Sequence, residues 1–210
     1  MAAQFFIKGI VVGLWVAAPV GPIGALIIRR TLVCGVWSGF FSGLGAVTAD
    51  GFYGAIAAYG LTSISSFLLD HQLWVKLVGG LVLLTIGINA LISQDSQKVA
   101  VRRRQPLFSD YFSSLLLTLA NPLTILAFLA VFAGLGIAGA YAGCMNATLL
   151  VSGVMLGSFL WTVALSFGLG YLRGYFGDYM LRAINLASGL IIVGFALYML
   201  VNSARLAFFI

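Results

Sequence analysis

Few residues of this chain could do chemistry, and Asp50 leads them. It lies near the middle of a run from about Val36 to Leu61 that is otherwise apolar, glycine or small. The chain has five acidic residues, all aspartates, and the other four stand near the ends of apolar runs or between them. A carboxylate buried in a bilayer costs roughly 2.5–3.5 kcal/mol on insertion scales, so it faces a partner or a water-filled cavity and marks function. Asp50 could hold a substrate ammonium, carry a coupling proton, or do both. It could instead be clamped internally to Arg29 or Asn121. At about 100° per residue, Gly39, Gly43 and Gly54 fall within about 40° of Asp50 on a helix. Small residues let helices approach closely, so Asp50 is expected to point into a bundle and away from lipid.

Prolines supply the second set of candidates. The run Ala18-Pro19-Val20-Gly21-Pro22 interrupts one apolar stretch, and Asn121-Pro122 interrupts another. Proline removes a backbone N–H and clashes with the carbonyl one turn earlier. The residue before it is pushed out of the helical region. Irregular backbone at membrane depth is tolerated only where it meets protein or lines a cavity. A half-helix beginning at Pro22 or Pro122 presents amide groups and a positive dipole end, a natural ligand for a carboxylate. Gly21, Pro22, Asn121 and Pro122 are therefore candidate site residues. Asn89 joins them because a membrane-buried amide needs partners. Ser158, Tyr53 and Trp161 follow from a repeat described below. Thr48, Thr118, Thr124, Thr162 and Ser166 are further polar residues within apolar runs, with self-capping of their own helix as their ordinary role.

These residues need helices to carry them. The chain has 210 residues, 62% hydrophobic and 8% charged, against about 25% charged in soluble domains. That composition indicates an integral membrane protein. Runs of about 20 apolar residues read as spanning helices, and they are too long and too little alternating for barrel strands. Six fit: Phe6–Ile28, Val36–Leu61, Leu73–Ile92, Tyr111–Phe132, Met145–Tyr171 and Ala183–Ser203. The first is expected to be an uncleaved helix, with Arg29 and Arg30 acting as a stop.

A polar basic stretch at 93–110 divides the chain, and the halves 1–92 and 111–210 resemble each other in order. Helices 1 and 4 are both proline-broken. Gly45 to Tyr53 aligns with Gly153 to Trp161, which matches Asp50 with Ser158 and Tyr53 with Trp161. The stretch from Gly80 aligns with that from Gly189, matching Asn89 with Tyr198. Three spans per copy make the second copy run inverted across the membrane. The expected fold is thus an all-α membrane domain of two inverted three-helix repeats, the architecture of alternating-access carriers with a site at the repeat interface.

The net charge of +6 is a topology signal first. Eight of the eleven Lys and Arg residues fall in the connections after helices 1, 3 and 5, including Arg102–Arg104 in the central loop. This bias predicts that loop in the cytoplasm and both termini outside. Nucleic-acid binding is not expected from so placed a cluster. Cys34 and Cys144 are expected on opposite faces, and no Cys/His cluster has metal-ligand spacing, so neither disulfide nor metal is expected. His71 reads as a surface histidine. No cofactor is called for beyond a proton gradient.

At these residues the chain resembles a known family. The run Ala18 to Leu32 with its Gly-Pro, then Gly35, Gly39, Gly43, Gly45 and Ala49-Asp50, then Asn121-Pro-Leu-Thr-Ile, is similar to the LysE/RhtB (lysine exporter) family of amino-acid efflux proteins. The likeness covers essentially the whole chain. It implies export of an amino acid or derivative from the bacterial cytoplasm across the inner membrane, coupled to protons. Ala49 and Ile23 depart from residues often found in the family and leave the substrate open. Two relatives in architecture are weaker fits. A thiol–electron carrier needs a cysteine in each of helices 1 and 4, and a soft-metal exporter needs more than one buried acid. An intramembrane enzyme needs paired acids, Ser–His or a metal motif, none of which falls within the spans. The glycine faces could mediate homodimerisation or pack within one chain.

Overall fold

The computed structural model describes residues 2–18, 21–59, 72–92, 106–121, 124, 127–128, 144–175 and 177–208. Among them every regular element is helical. Helix α1 spans Ala2–Ala17 and α2 spans Pro22–Arg29, followed by a five-residue π turn at Arg30–Cys34. Then come α3 (Val36–Ala58), α4 (Gln72–Ile92), α5 (Leu107–Ala120), α6 (Cys144–Leu172) and α7 (Asp178–Phe208).

Both expected breaks fall where the prolines put them. α1 stops at Ala17, and α2 starts with Pro22 at its first position behind an extended Gly21. Proline is suited to that position because its missing N–H has no intrahelical acceptor there. The axes of Ala3–Ala17 and Pro22–Cys34 differ by 79°. α5 ends at Ala120, and Asn121 leaves the helical region at φ −82, ψ 106, as the residue before a proline must. Pro122 itself, like His71, Lys98 and Arg102–Arg104, lies outside the described residues. After α2 the π turn closes with the Gly35 amide donating to the Arg30 carbonyl at 3.0 Å. Gly35 has φ +110, a conformation open to glycine, which turns the chain into α3. α5 begins at Leu107, inside the stretch read from sequence as linker.

α3 occupies the centre, packed between α5 on one side and α6 on the other. α1 lies along α6, and α4 lies along α7. The close approaches are made by glycine. A Cβ at Gly153 of α6 would strike the Phe6 carbonyl of α1 and come 3.0 Å from the Ile10 nitrogen. Gly9, Gly13 and Gly157 meet the partner backbone in the same way, so two small-xxx-small stripes face each other. A Cβ at Gly45 of α3 would likewise strike the Tyr111 carbonyl of α5 and come 2.8 Å from the Leu115 nitrogen. The expected glycine face of α3 also packs within the chain, with Gly39 against Thr31, Gly43 against Thr162 and Gly54 against Val154.

The outer surface is rich in large apolar side chains such as Trp15, Trp37, Trp74 and Leu190, the pattern of a protein whose exterior solvent is lipid. Met145–Tyr175 and Tyr179–Val201 are each long and apolar enough to cross a membrane, and Ala3–Ala17 with Pro22–Cys34 make a third, bent pair. α3 is 23 residues long; its glycines, serines and Asp50 lower its apolarity because it is enclosed by other helices.

Candidate functional site

A cavity of about 140 Å³ lies where α2, α3, α5 and α6 converge. Each element contributes for a local reason. The break before α2 brings Gly21 and Pro22 to its wall. The end of α5 contributes Thr118 and Asn121. α3 supplies Asp50, and α6 supplies Ser158, Trp161 and Thr162. Asp50, Asn121, Ser158 and Thr162 are all buried. The first-turn amides of Ile23 and Gly24, which also line the cavity, have no intrahelical acceptor.

The Ser158 hydroxyl lies 2.7 Å from Asp50 Oδ2 and donates to it; the same oxygen is 3.3 Å from the Gly13 carbonyl. Asp50 is therefore held by a residue of the opposite half of the chain. Arg29, one of the two residues considered as its clamp, is engaged elsewhere. Arg29 Nε donates to Asn185 Oδ1 at 2.6 Å, tying α2 to α7, and Arg30 joins a separate network.

Of the residues singled out in the sequence, Asp50, Gly21, Pro22, Asn121, Ser158 and Trp161 share this cavity. Tyr53 and Asn89 are elsewhere. Tyr53 is buried in an apolar cluster beside Phe128, and its hydroxyl donates to the Leu119 carbonyl. That carbonyl sits in the last turn of α5, where the proline break removes helical donors, so Tyr53 serves the break and does not wall the cavity. Asn89 is carried by α4, which packs along α7, and it lines a second cavity of about 480 Å³ with Arg29, Arg30 and Asp110.

The sequence reading missed the network beside that second cavity. Arg30 Nε pairs with Asp110 Oδ1 at 3.3 Å. Its Nη1 donates to Ser42 Oγ at 2.7 Å and to the Asp110 carbonyl at 3.0 Å, and its Nη2 to Ser113 Oγ at 2.9 Å. The Ser38 hydroxyl donates to Asp110 Oδ2 at 2.7 Å. Arg30 and Asp110 are both buried, so this is a shared charge pair with its remaining polar groups occupied. The available signal was the spacing Asp110, Ser114, Thr118, which puts three polar residues on one face of a helix. Among the described residues no group of three or more His, Cys, Asp or Glu could hold a metal ion.

A family model described as LysE type translocator matches residues 14–203. "Putative amino acid efflux protein YcgF" of Bacillus subtilis (strain 168) is 32% identical over 199 residues, covering 93% of this chain and 94% of that protein. "Uncharacterized membrane protein YahN" of Escherichia coli (strain K12) is 27% identical over 194 residues, covering 89% of this chain and 85% of that protein. No solved structure matches the chain significantly.

Proposed function

The chain belongs to the LysE type translocator family of multi-pass membrane transporters, and from that premise we propose that it exports an amino acid or a close derivative from the bacterial cytoplasm by proton-coupled alternating access. The observation that carries this reading is the convergence on one cavity of a buried carboxylate, the single acid among its described lining residues, and a broken helix. The substrate ammonium, or the coupling proton, engages Asp50. The substrate carboxylate meets the amides of Ile23 and Gly24 at the start of α2, with Asn121 assisting from the second break. No cysteine stands among the described residues of this wall, which argues against thiol–disulfide exchange there.

Packing supports the inverted repeat as the frame for this mechanism. Exchange helix 1 with 4, 2 with 5 and 3 with 6. The α1–α6 contact then becomes the α3–α5 contact, while α3–α6 and α4–α7 map onto themselves; all four are the principal packings of the bundle. The glycine contacts follow the same exchange, since Gly153 meets Phe6 and Ile10 as Gly45 meets Tyr111 and Leu115. Direction follows too. α1 with α6 and α3 with α5 advance together along the chain, whereas α4 with α7 runs opposed, with Gly80 beside Leu200 and Gly87 beside Val193. Six alternating spans require that parity. Asp50 and Ser158, equivalent in the repeat register, touch each other. A residue in contact with its own symmetry equivalent lies on the axis, which is where a carrier of this kind binds substrate. The basic loop 93–105 is then cytoplasmic and both termini lie outside.

The test is transport by inside-out vesicles across a panel of radiolabelled amino acids, with and without an imposed proton gradient. The parent accumulates at least one of them, and the gradient raises the accumulation. Asp50→Asn keeps the shape and a hydrogen-bond partner for Ser158 but removes the charge, and it abolishes the response to the gradient. Parental rates and an undiminished gradient response in Asp50→Asn would sink the assignment.

A further inference from the structure

We propose that the second cavity is the entrance vestibule of the transport path, and that the Arg30–Asp110 network is the closed gate between it and the central cavity. This rests on the transport reading above, and it adds where the substrate enters and what stops it. The two cavities stack along the same helices. On α3 the central cavity takes Ala46, Val47 and Asp50, and the second takes Val36 and Ser38. On α5 the central cavity takes Thr118 and Asn121, and the second takes Asp110 and Ser113.

Between the two levels lie Ser42 on α3 and Ser114 on α5, both fully buried. Ser42 accepts from Arg30, but the Ser114 hydroxyl has no hydrogen-bond partner among the described residues. On α6 the buried Ser158, Thr162 and Ser166 follow one another at single-turn spacing, and Ser166 too is unpartnered. Among the described residues neither hydroxyl makes the bond to its own helix that is the ordinary role of such side chains. Polar side chains inside membranes ordinarily face a water-filled route or a partner, and these hydroxyls continue from the polar wall of the central cavity toward the Arg30 level. They are the lining of a route that is shut in this conformation.

The gate joins the two halves of the chain. Arg30, Ser38 and Ser42 belong to the first half, and Asp110 and Ser113 to α5, the helix that opens the second. A rocking motion of one repeat against the other must break this network, whereas the α3–α6 seam at Asp50 lies near the axis and moves least. The vestibule is lined by Arg29, Arg30 and Asp110, and parting the Arg30–Asp110 pair frees one group of each sign for a zwitterion. By the orientation proposed above it faces the cytoplasm, the side from which an exporter loads.

Cysteine accessibility tests this without any amino-acid substrate, so its failure is separable from failure of the transport assignment. Cys34 and Cys144 are replaced by Ser, and Ala46→Cys places one thiol on the wall of the central cavity. A charged, membrane-impermeant maleimide is applied to vesicles of either orientation. With the network intact, labelling from the Arg30 face is slow. Asp110→Asn, which uncouples the pair, raises the rate from that face by at least about tenfold, the expected size of a modest shift between closed and open populations. Ser38→Ala removes one hydrogen bond while keeping the charges paired, and it gives a smaller rise in a protein that still folds. Unchanged labelling from the Arg30 face in both variants, each extracted as a monodisperse protein, overturns the gate. A clamp that merely holds the fold would lower thermal stability without admitting the reagent.

Discussion

Three glycine-to-alanine substitutions distinguish packing from propensity and test the proposed repeat at the same time. Gly153 and Gly194 both lie inside long helices, α6 and α7. Replacing an interior helix glycine by alanine gains up to about 1 kcal/mol in intrinsic propensity. At Gly194 a Cβ meets nothing within 4 Å, so Gly194→Ala should show that gain alone. At Gly153 the Cβ would overlap the Phe6 carbonyl and lie 3.0 Å from the Gly9 Cα, both backbone atoms of α1. Neither can rotate away, so the two helices must separate. Inserting an extra methyl group into a well-packed contact costs about 1–3 kcal/mol. The propensity gain is common to both sites and cancels in their difference. At about 2–4 °C per kcal/mol for a chain of this size, the two variants should melt roughly 2–12 °C apart, Gly153→Ala lower. Gly45→Ala on α3 completes the test. Its Cβ would meet the Tyr111 carbonyl and the Leu115 nitrogen of α5, the same kind of contact, and its melting point should fall with that of Gly153→Ala. The assay is thermal unfolding of the purified protein in one detergent at fixed protein and lipid concentration. Equal melting points for Gly153→Ala and Gly194→Ala would refute the packing argument. Gly45→Ala behaving like Gly194→Ala would refute the equivalence of the two helix contacts.

Tyr53→Phe strands the Leu119 carbonyl at the break after α5, a loss of about 1–3 kcal/mol for a buried acceptor. Its melting point should drop by several degrees with the order of preferred substrates unchanged, since the side chain lies off the cavity; a changed preference would return Tyr53 to the site. A reporter fused after Ile210 should be active as alkaline phosphatase and dark as green fluorescent protein, placing the C-terminus outside, and the opposite pair of results reverses the proposed orientation.

Much of the central site could be read from sequence because it rests on strictly local rules. Pro19 and Pro122 push the residue before them out of the helical region, so α1 and α5 stop at Ala17 and Ala120. A charge within an apolar run announces itself, and Asp50 needed no partner to be noticed. Ser158 is different in kind: as one of several polar residues within apolar runs it marks little by itself, and the match between the two halves singled it out. The same match gave Tyr53 and Trp161 one role, and there it misled. In that register their positions correspond, but Tyr53 carries a hydroxyl that reaches the Leu119 carbonyl at the α5 break and Trp161 has none, and a register carries no information about such a demand. The pairing of Arg30 with Asp110 was beyond reach for a related reason, although the spacing Asp110, Ser114, Thr118 marked one side of it. The two partners are 80 residues apart and stand at the polar margins of their apolar runs, where charges are ordinarily solvated. Only the packing of α5 against α3 decides that both are buried.

The packing of α3 against α6 also explains why the acid is unpaired across the proposed repeat. In the frame proposed above, Asp50 and Ser158 are equivalent positions brought into contact, with 2.7 Å between their oxygens. Two positions that meet on an axis cannot be filled independently. An aspartate at both would set two carboxylates against each other, and a pair of like charges about 4 Å apart costs about 4 kcal/mol even at an effective dielectric of about 20. That penalty would add to the cost of placing each acid in the membrane. An aspartate facing a serine avoids it and gains a charge-assisted hydrogen bond. The serine hydroxyl can also turn to the Gly13 carbonyl, 3.3 Å away, when the carboxylate takes another partner. In that frame the asymmetry follows from the symmetry: an axis this tight holds a single charge, since a second acid there would have to be protonated, and in the proposed carrier any proton or ammonium coupling runs through the same Asp50 oxygens in both orientations.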